Sequence, residues 1–71
     1  MTHVIDGRDM VPPEPLEETL AALDTLPHDE ELVLLLYCHP RPLFEILAKM
    51  GVEWTEAVQE DGTHEIRMRR R

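Results

Sequence analysis

Glu31-Leu32-Val33-Leu34-Leu35-Leu36-Tyr37-Cys38-His39-Pro40-Arg41-Pro42-Leu43 is the stretch whose reading decides the fold. From Leu32 to Leu36 no polar side chain interrupts it. A strand with one wet face alternates apolar and polar residues, whereas a strand covered on both faces reads as a continuous apolar run. Glu31–Tyr37 is therefore predicted to be a central strand, running parallel to a neighbour. Pro40-Arg41-Pro42 then opens a helix, because proline is tolerated in a first turn, where the N–H it lacks would go unpaired.

Outward from that stretch the elements are short and closely spaced. On the N-terminal side, His3 to Asp6 reads as a short strand centred on Val4 and Ile5, and Gly7 to Val11 as a loop. Pro12-Pro13-Glu14-Pro15 opens a helix in the same manner as Pro40-Arg41-Pro42. Glu14, Glu17 and Glu18 suit the positive end of its dipole. Leu16, Leu20 and Leu23 give one apolar stripe at i, i+4, i+7, and Pro27 stops the helix near Leu26. On the C-terminal side, Leu43, Ile46, Leu47 and Met50 form the buried face of the second helix, and Gly51 suits its C′ position. Val52 to Gln59 is predicted as a third strand containing Trp54. Asp61-Gly62 is a hairpin signal. Thr63 to Arg69 is the fourth strand, with His64, Ile66 and Met68 on one face and Glu65, Arg67 and Arg69 on the other.

The predicted order is β-α-β-α-β-β. Crossovers between parallel strands are right-handed, so both helices lie on one face of a four-stranded mixed sheet, an α+β two-layer sandwich. With 71 residues the chain holds one domain, spanning residues 1–71. The other sheet face is left open. Either Val33 and Leu35 or Leu32, Leu34 and Leu36 must point to it, and a soluble monomer rarely shows a large apolar patch. A protein partner or a second copy is expected there, unless the stems of Glu53, Glu65 and Arg67 cover the patch.

Charge is unevenly placed. The net charge is −8, yet residues 1–66 hold all fifteen acids and only Arg8, Arg41 and Lys49 as bases, while Arg67, Arg69, Arg70 and Arg71 crowd the end. An acidic body repels phosphate backbones, so nucleic acid is not an expected partner; the basic end reads as a solvated terminus. The single cysteine, Cys38, excludes an intramolecular disulfide. The longest apolar run, Leu32 to Cys38, is far below the ~20 residues that span a bilayer, so no membrane partner is expected. The opening Met-Thr-His-Val lacks the basic and apolar regions of a signal peptide, and a cytoplasmic location is the default expectation.

Two motifs carry a resemblance. Ile5-Asp6-Gly7-Arg8-Asp9 followed by Pro12-Pro13-Glu14-Pro15-Leu16 resembles the TusA/SirA-like signature, a strand ending in Leu-Asp-x-Arg-Gly and a helix opening with Cys-Pro-x-Pro-Leu. Asp6, Arg8, Pro13, Pro15 and Leu16 match it. Asp9 replaces the glycine, and Pro12 stands where those proteins carry their sulfur-bearing cysteine. Cys38-His39-Pro40-Arg41-Pro42-Leu43 resembles the His-Asp-Pro-Arg-Pro-Leu segment of an uncharacterised branch of that family, with Pro40, Arg41 and Pro42 matching and Cys38 and His39 replacing His and Asp. The resemblance implies the fold already derived. It also implies a bacterial or archaeal setting in redox or sulfur metabolism, and hemerythrin-like or sulfur-transfer proteins as partners.

Chemistry is expected at the sheet edge where both helices begin, since ligands of open α/β sheets bind outside the carboxyl ends of the strands. Arg8 and Arg41, with Cys38 and His39 beside them, form a candidate anion site there; the other reading is that Arg8 pairs with Asp6 or Asp9 and that the prolines only fix helix entry. Cys38 precedes a helix start and a nearby arginine, which favour a thiolate; the other reading is a partly buried cysteine acting as a small hydrophobe. The spacing of His3, His28, His39, His64 and Cys38 matches no zinc pattern, so no metal and no cofactor is expected. No Ser-His-Asp pattern, phosphate loop or carboxylate pair stands out. The expected function is a small non-enzymatic module that binds a partner or ligand, because persulfide transfer needs a thiolate and Pro12 has no sulfur. The alternative is a thiol or persulfide carrier, or thiol-redox protein, that uses Cys38.

Overall fold

The structure, a computed structural model, describes residues 2–70. The elements follow the expected order: β1 (Thr2–Asp6), α1 (Glu14–Thr25), β2 (Glu31–Leu36), α2 (Arg41–Met50), β3 (Val52–Val58) and β4 (His64–Arg70). The sheet order is β1-β2-β4-β3. β2 is central, parallel to β1 and antiparallel to β4, and β3 pairs antiparallel with β4 at the edge.

Register explains the apolar run of β2. Leu32, Leu34 and Leu36 face the helices and join Leu23 and Leu26 from α1 and its cap, Leu43 and Leu47 of α2, and Val52, Ile66 and Met68 in one core cluster. Both helices therefore cover the same sheet face. Val33 and Leu35 point the other way, as do Glu65, Arg67 and Thr55, their neighbours across the ladder. Val33 is nevertheless only 5% exposed. Its partner across the ladder is Arg67, whose guanidinium bridges Glu31 Oε2 at 2.8 Å and Glu65 Oε2 at 2.7 Å. An arginine anchored by its head group in this way can cover apolar surface with its stem. The apolar part of the open face narrows to half-buried Leu35 and exposed Val4.

Both helices start without a side-chain cap. Pro13 and Pro40 are the N-cap residues, and their carbonyls accept from Glu17 and Phe44 respectively. Pro15 and Pro42, in the first turns, bring no N–H that would need a partner. Gly7 closes the end of β1: its N–H donates to the Leu35 carbonyl at 2.8 Å, and a Cβ on it would sit 2.9 Å from Leu36 Cδ2. At the other end of α2, Gly51 adopts φ +72°, the left-handed cap.

Two expectations need correction. Met50 is 41% exposed, not on the buried face; it is the last residue of α2 before the Gly51 cap, and the helix buries Leu43 and Leu47. The basic end is not a loose solvated terminus either. Arg67 lies across the sheet, and Arg70 Nη1 donates to the Leu23 and Leu26 carbonyls at 3.2 and 3.3 Å, at the C-terminal end of α1. Arg71 lies outside the described residues. Among the described residues, no helix is long and apolar enough to cross a membrane.

Candidate functional site

The carboxyl end of β2 is where the chain places its chemistry. β2 stops at Leu36, and Tyr37, Cys38 and His39 carry the chain out to the Pro40 cap of α2. The loop after β1 arrives alongside, ending in Pro12 and Pro13. Between the two connections lies a hollow of about 270 Å³. Pro12, Pro13 and Pro15 form one wall; Cys38, His39, Pro40 and Pro42 form the other. Leu34 and Leu36 line it from the sheet. Rigid proline rings on both sides keep it open, and its lining is almost wholly apolar.

One arginine of the candidate anion site is already paired within the chain. Arg8 Nε donates to Asp6 Oδ1 at 2.9 Å and its Nη2 to Oδ2 at 2.7 Å, a two-pronged pair that occupies the guanidinium. The Arg8 backbone N–H adds a third bond to Oδ1 at 3.2 Å. Hydrogen bonds from the Arg8 side chain and backbone lower the Asp6 carboxyl from 3.8 to about 2, and Asp6 in turn raises the Arg8 pKa. Arg41 is exposed; its backbone N–H donates to the His39 carbonyl at 3.0 Å, and its side chain makes no hydrogen bond or ion pair among the described residues. Neither arginine lines the hollow; Cys38 and His39 do. Cys38 is free and exposed.

His39 also belongs to a second group. Its Nδ1 donates to Glu56 Oε2 at 2.9 Å and lies 3.0 Å from Oε1. His64 Nδ1 reaches the same Oε2 at 2.8 Å. Because an ionised carboxylate only accepts, both ring nitrogens carry their proton toward it. Burial pushes the Glu56 pKa up, but the bonds from His64 and His39 outweigh that and leave it lowered. The His39 ring meets Phe44 edge-on at 4.9 Å, and Phe44 stacks on Trp54 at 5.2 Å and 14°. One ligand atom from each of His39, Glu56 and His64 falls within 4.8 Å of the others, a spacing that could hold a metal ion.

Sequence reasoning had His39 and His64 in hand but missed Glu56. The available signal was its alternation with Trp54 on β3, which puts both on the helix-covered face. His3 pairs instead with Glu30, far from this cluster in the fold, at the opposite end of β2.

No curated protein and no solved structure matches the chain. One family model does, that of an uncharacterised conserved protein (DUF2249), and it spans residues 4–70, which take in every strand and helix named above apart from the first two residues of β1. The chain belongs to this uncharacterised conserved family.

Proposed function

We propose that this chain is a non-enzymatic module that binds a protein partner or small ligand at the hollow between its two proline-rich connections. The observation that carries the reading is that hollow: about 270 Å³, apolar, and walled by prolines that lose little entropy on binding. The resemblance of Asp6, Arg8, Pro13 and Pro15, and of Pro40, Arg41 and Pro42, to TusA/SirA-like motifs supports an origin in a sulfur-carrier fold. Pro12 at the carrier cysteine's position supports a role without sulfur transfer there. By the same resemblance the setting is cytoplasmic redox or sulfur metabolism in bacteria or archaea, with a hemerythrin-like or sulfur-transfer protein as the partner. Val4 and Leu35 extend the proposal to the open sheet face, where a second copy or the partner would sit.

Titrating the ¹⁵N-labelled chain with a purified hemerythrin-like domain tests this reading. Amide shifts are expected first at Leu16, Cys38, His39 and Leu43. Shifts at Val4, Val33 and Leu35 alone would move the contact to the open face, and no shift at saturating concentration would overturn this choice of partner. The exposure of Cys38 favours a second reading, a thiol carrier. Under it, a cysteine desulfurase with cysteine adds sulfur mass to the wild type and none to Cys38→Ser; under the first reading neither gains mass.

A further inference from the structure

The His39–Glu56–His64 cluster goes beyond a binding hollow. Three separate elements deliver it: His39 from the connection before α2, Glu56 from edge strand β3 and His64 from the first position of β4. The sheet fixes two of them, since His64 pairs with Val58 two residues beyond Glu56. Phe44, itself stacked on Trp54, packs edge-on against the ring of the third, His39. The cluster is therefore preorganised by backbone and aromatic contacts that do not depend on an ion.

Its geometry is close to that of a first coordination sphere. Tetrahedral zinc at its usual bond lengths holds its donor atoms roughly 3.3–3.5 Å apart. Here the two Nδ1–Oε2 distances are 2.9 and 2.8 Å, and all three donors lie within 4.8 Å of one another. Opening the two short edges by about half an ångström makes room for the ion. Each neutral imidazole would shift its proton from Nδ1 to Nε2 and present the freed lone pair. The chemistry of the set selects the cation class. Two imidazoles and one carboxylate suit zinc and its transition-metal neighbours, whereas magnesium and calcium require mostly oxygen donors. The chain's net charge of −8 favours any cation. Side-chain exposures of 52% for His39, 22% for Glu56 and 19% for His64 leave one side accessible to solvent.

We propose that His39, Glu56 and His64 form a binding site for one divalent transition-metal ion of the zinc class, with an open coordination position toward solvent. His39 also lines the hollow, so an ion held there would stand at its rim.

The test uses the full chain, made without a histidine tag and stripped with chelator. Zn²⁺ is titrated calorimetrically, and Co²⁺ is followed by its visible absorption and by fluorescence of Trp54, the single tryptophan, two residues from Glu56. One ion per chain is expected, with quenching of Trp54 by Co²⁺ and shifts of the His39 and His64 ring resonances. His39→Ala and Glu56→Gln should each weaken Zn²⁺ binding at least about tenfold, while Cys38→Ser and His3→Gln leave it unchanged. Far-UV circular dichroism of each variant confirms the fold, and His64→Gln supplies a milder change at the third ligand. Absent saturable binding, affinity unchanged in folded His39→Ala and Glu56→Gln, or affinity lost in Cys38→Ser would each overturn the assignment.

Discussion

At the scale of single residues, the Asp6–Arg8 pair makes a definite pH prediction. The Asp6 carboxyl is lowered to about 2 from an ordinary 3.8 by the Arg8 side-chain and backbone bonds. A depressed acid stabilises the folded state above its unfolded pKa and loses that contribution as pH falls through the folded value. The pair should thus contribute fully above roughly pH 4 and fade toward pH 2. Carboxyl NMR should place the Asp6 midpoint near 2 in the wild type, and Arg8→Ala should return it toward about 3.9. The local motif made this pair legible, because Asp6 and Arg8 are two residues apart. Sequence alone left the partner of Arg8 open between a ligand anion and its own neighbour. The neighbour holds it because a bidentate fork two residues away costs little ordering.

At the scale of elements, the end of α1 shows how a distant strand finishes a helix. The last turn of α1 contains no basic residue, so its terminal carbonyls face an uncompensated dipole end. Arg70, at the end of β4, supplies the missing donors to Leu23 and Leu26. Arg70→Ala should lower stability by about 1 kcal/mol, measured by urea unfolding. Amide exchange should speed up first near Ala22 to Leu26, while the N-terminal turn at Glu14 keeps its protection. Element positions were legible throughout, from the paired prolines that open each helix to the uninterrupted apolar run of β2. The purpose of the arginine-rich end was not, because it acts on a helix some forty residues earlier in the chain.

At the scale of the whole molecule, the core is one small cluster shared by every buried element. The Cα radius of gyration is 11.2 Å, close to the roughly 11 Å expected of a compact chain this long. Leu47 is fully buried between α2 and the sheet. Leu47→Ala should cost about 2–5 kcal/mol, against a total of roughly 4–11 kcal/mol for a domain of this size. The variant should therefore unfold at markedly lower denaturant, or fail to fold at all near physiological temperature. A loss under 1 kcal/mol would mean that α2 is not the main lid on the core.

By itself, the sequence determined the element order, most of each helix's buried face and which strand sits at the centre. These follow from local periodicity and from proline and glycine chemistry, which act within a few residues. Only the tertiary structure decided that His39 and His64 meet at Glu56, across separations of 17 and 8 residues. It alone decided that Arg8 pairs with Asp6 and that an apolar hollow, lined by neither Arg8 nor Arg41, lies between the two connections. The physical reason is strand order: placing β4 between β2 and β3 is a choice among strand pairings that all satisfy the same hydrophobic pattern. That choice brings the start of β4 beside the end of β2, and with it the side chains that make the candidate metal site.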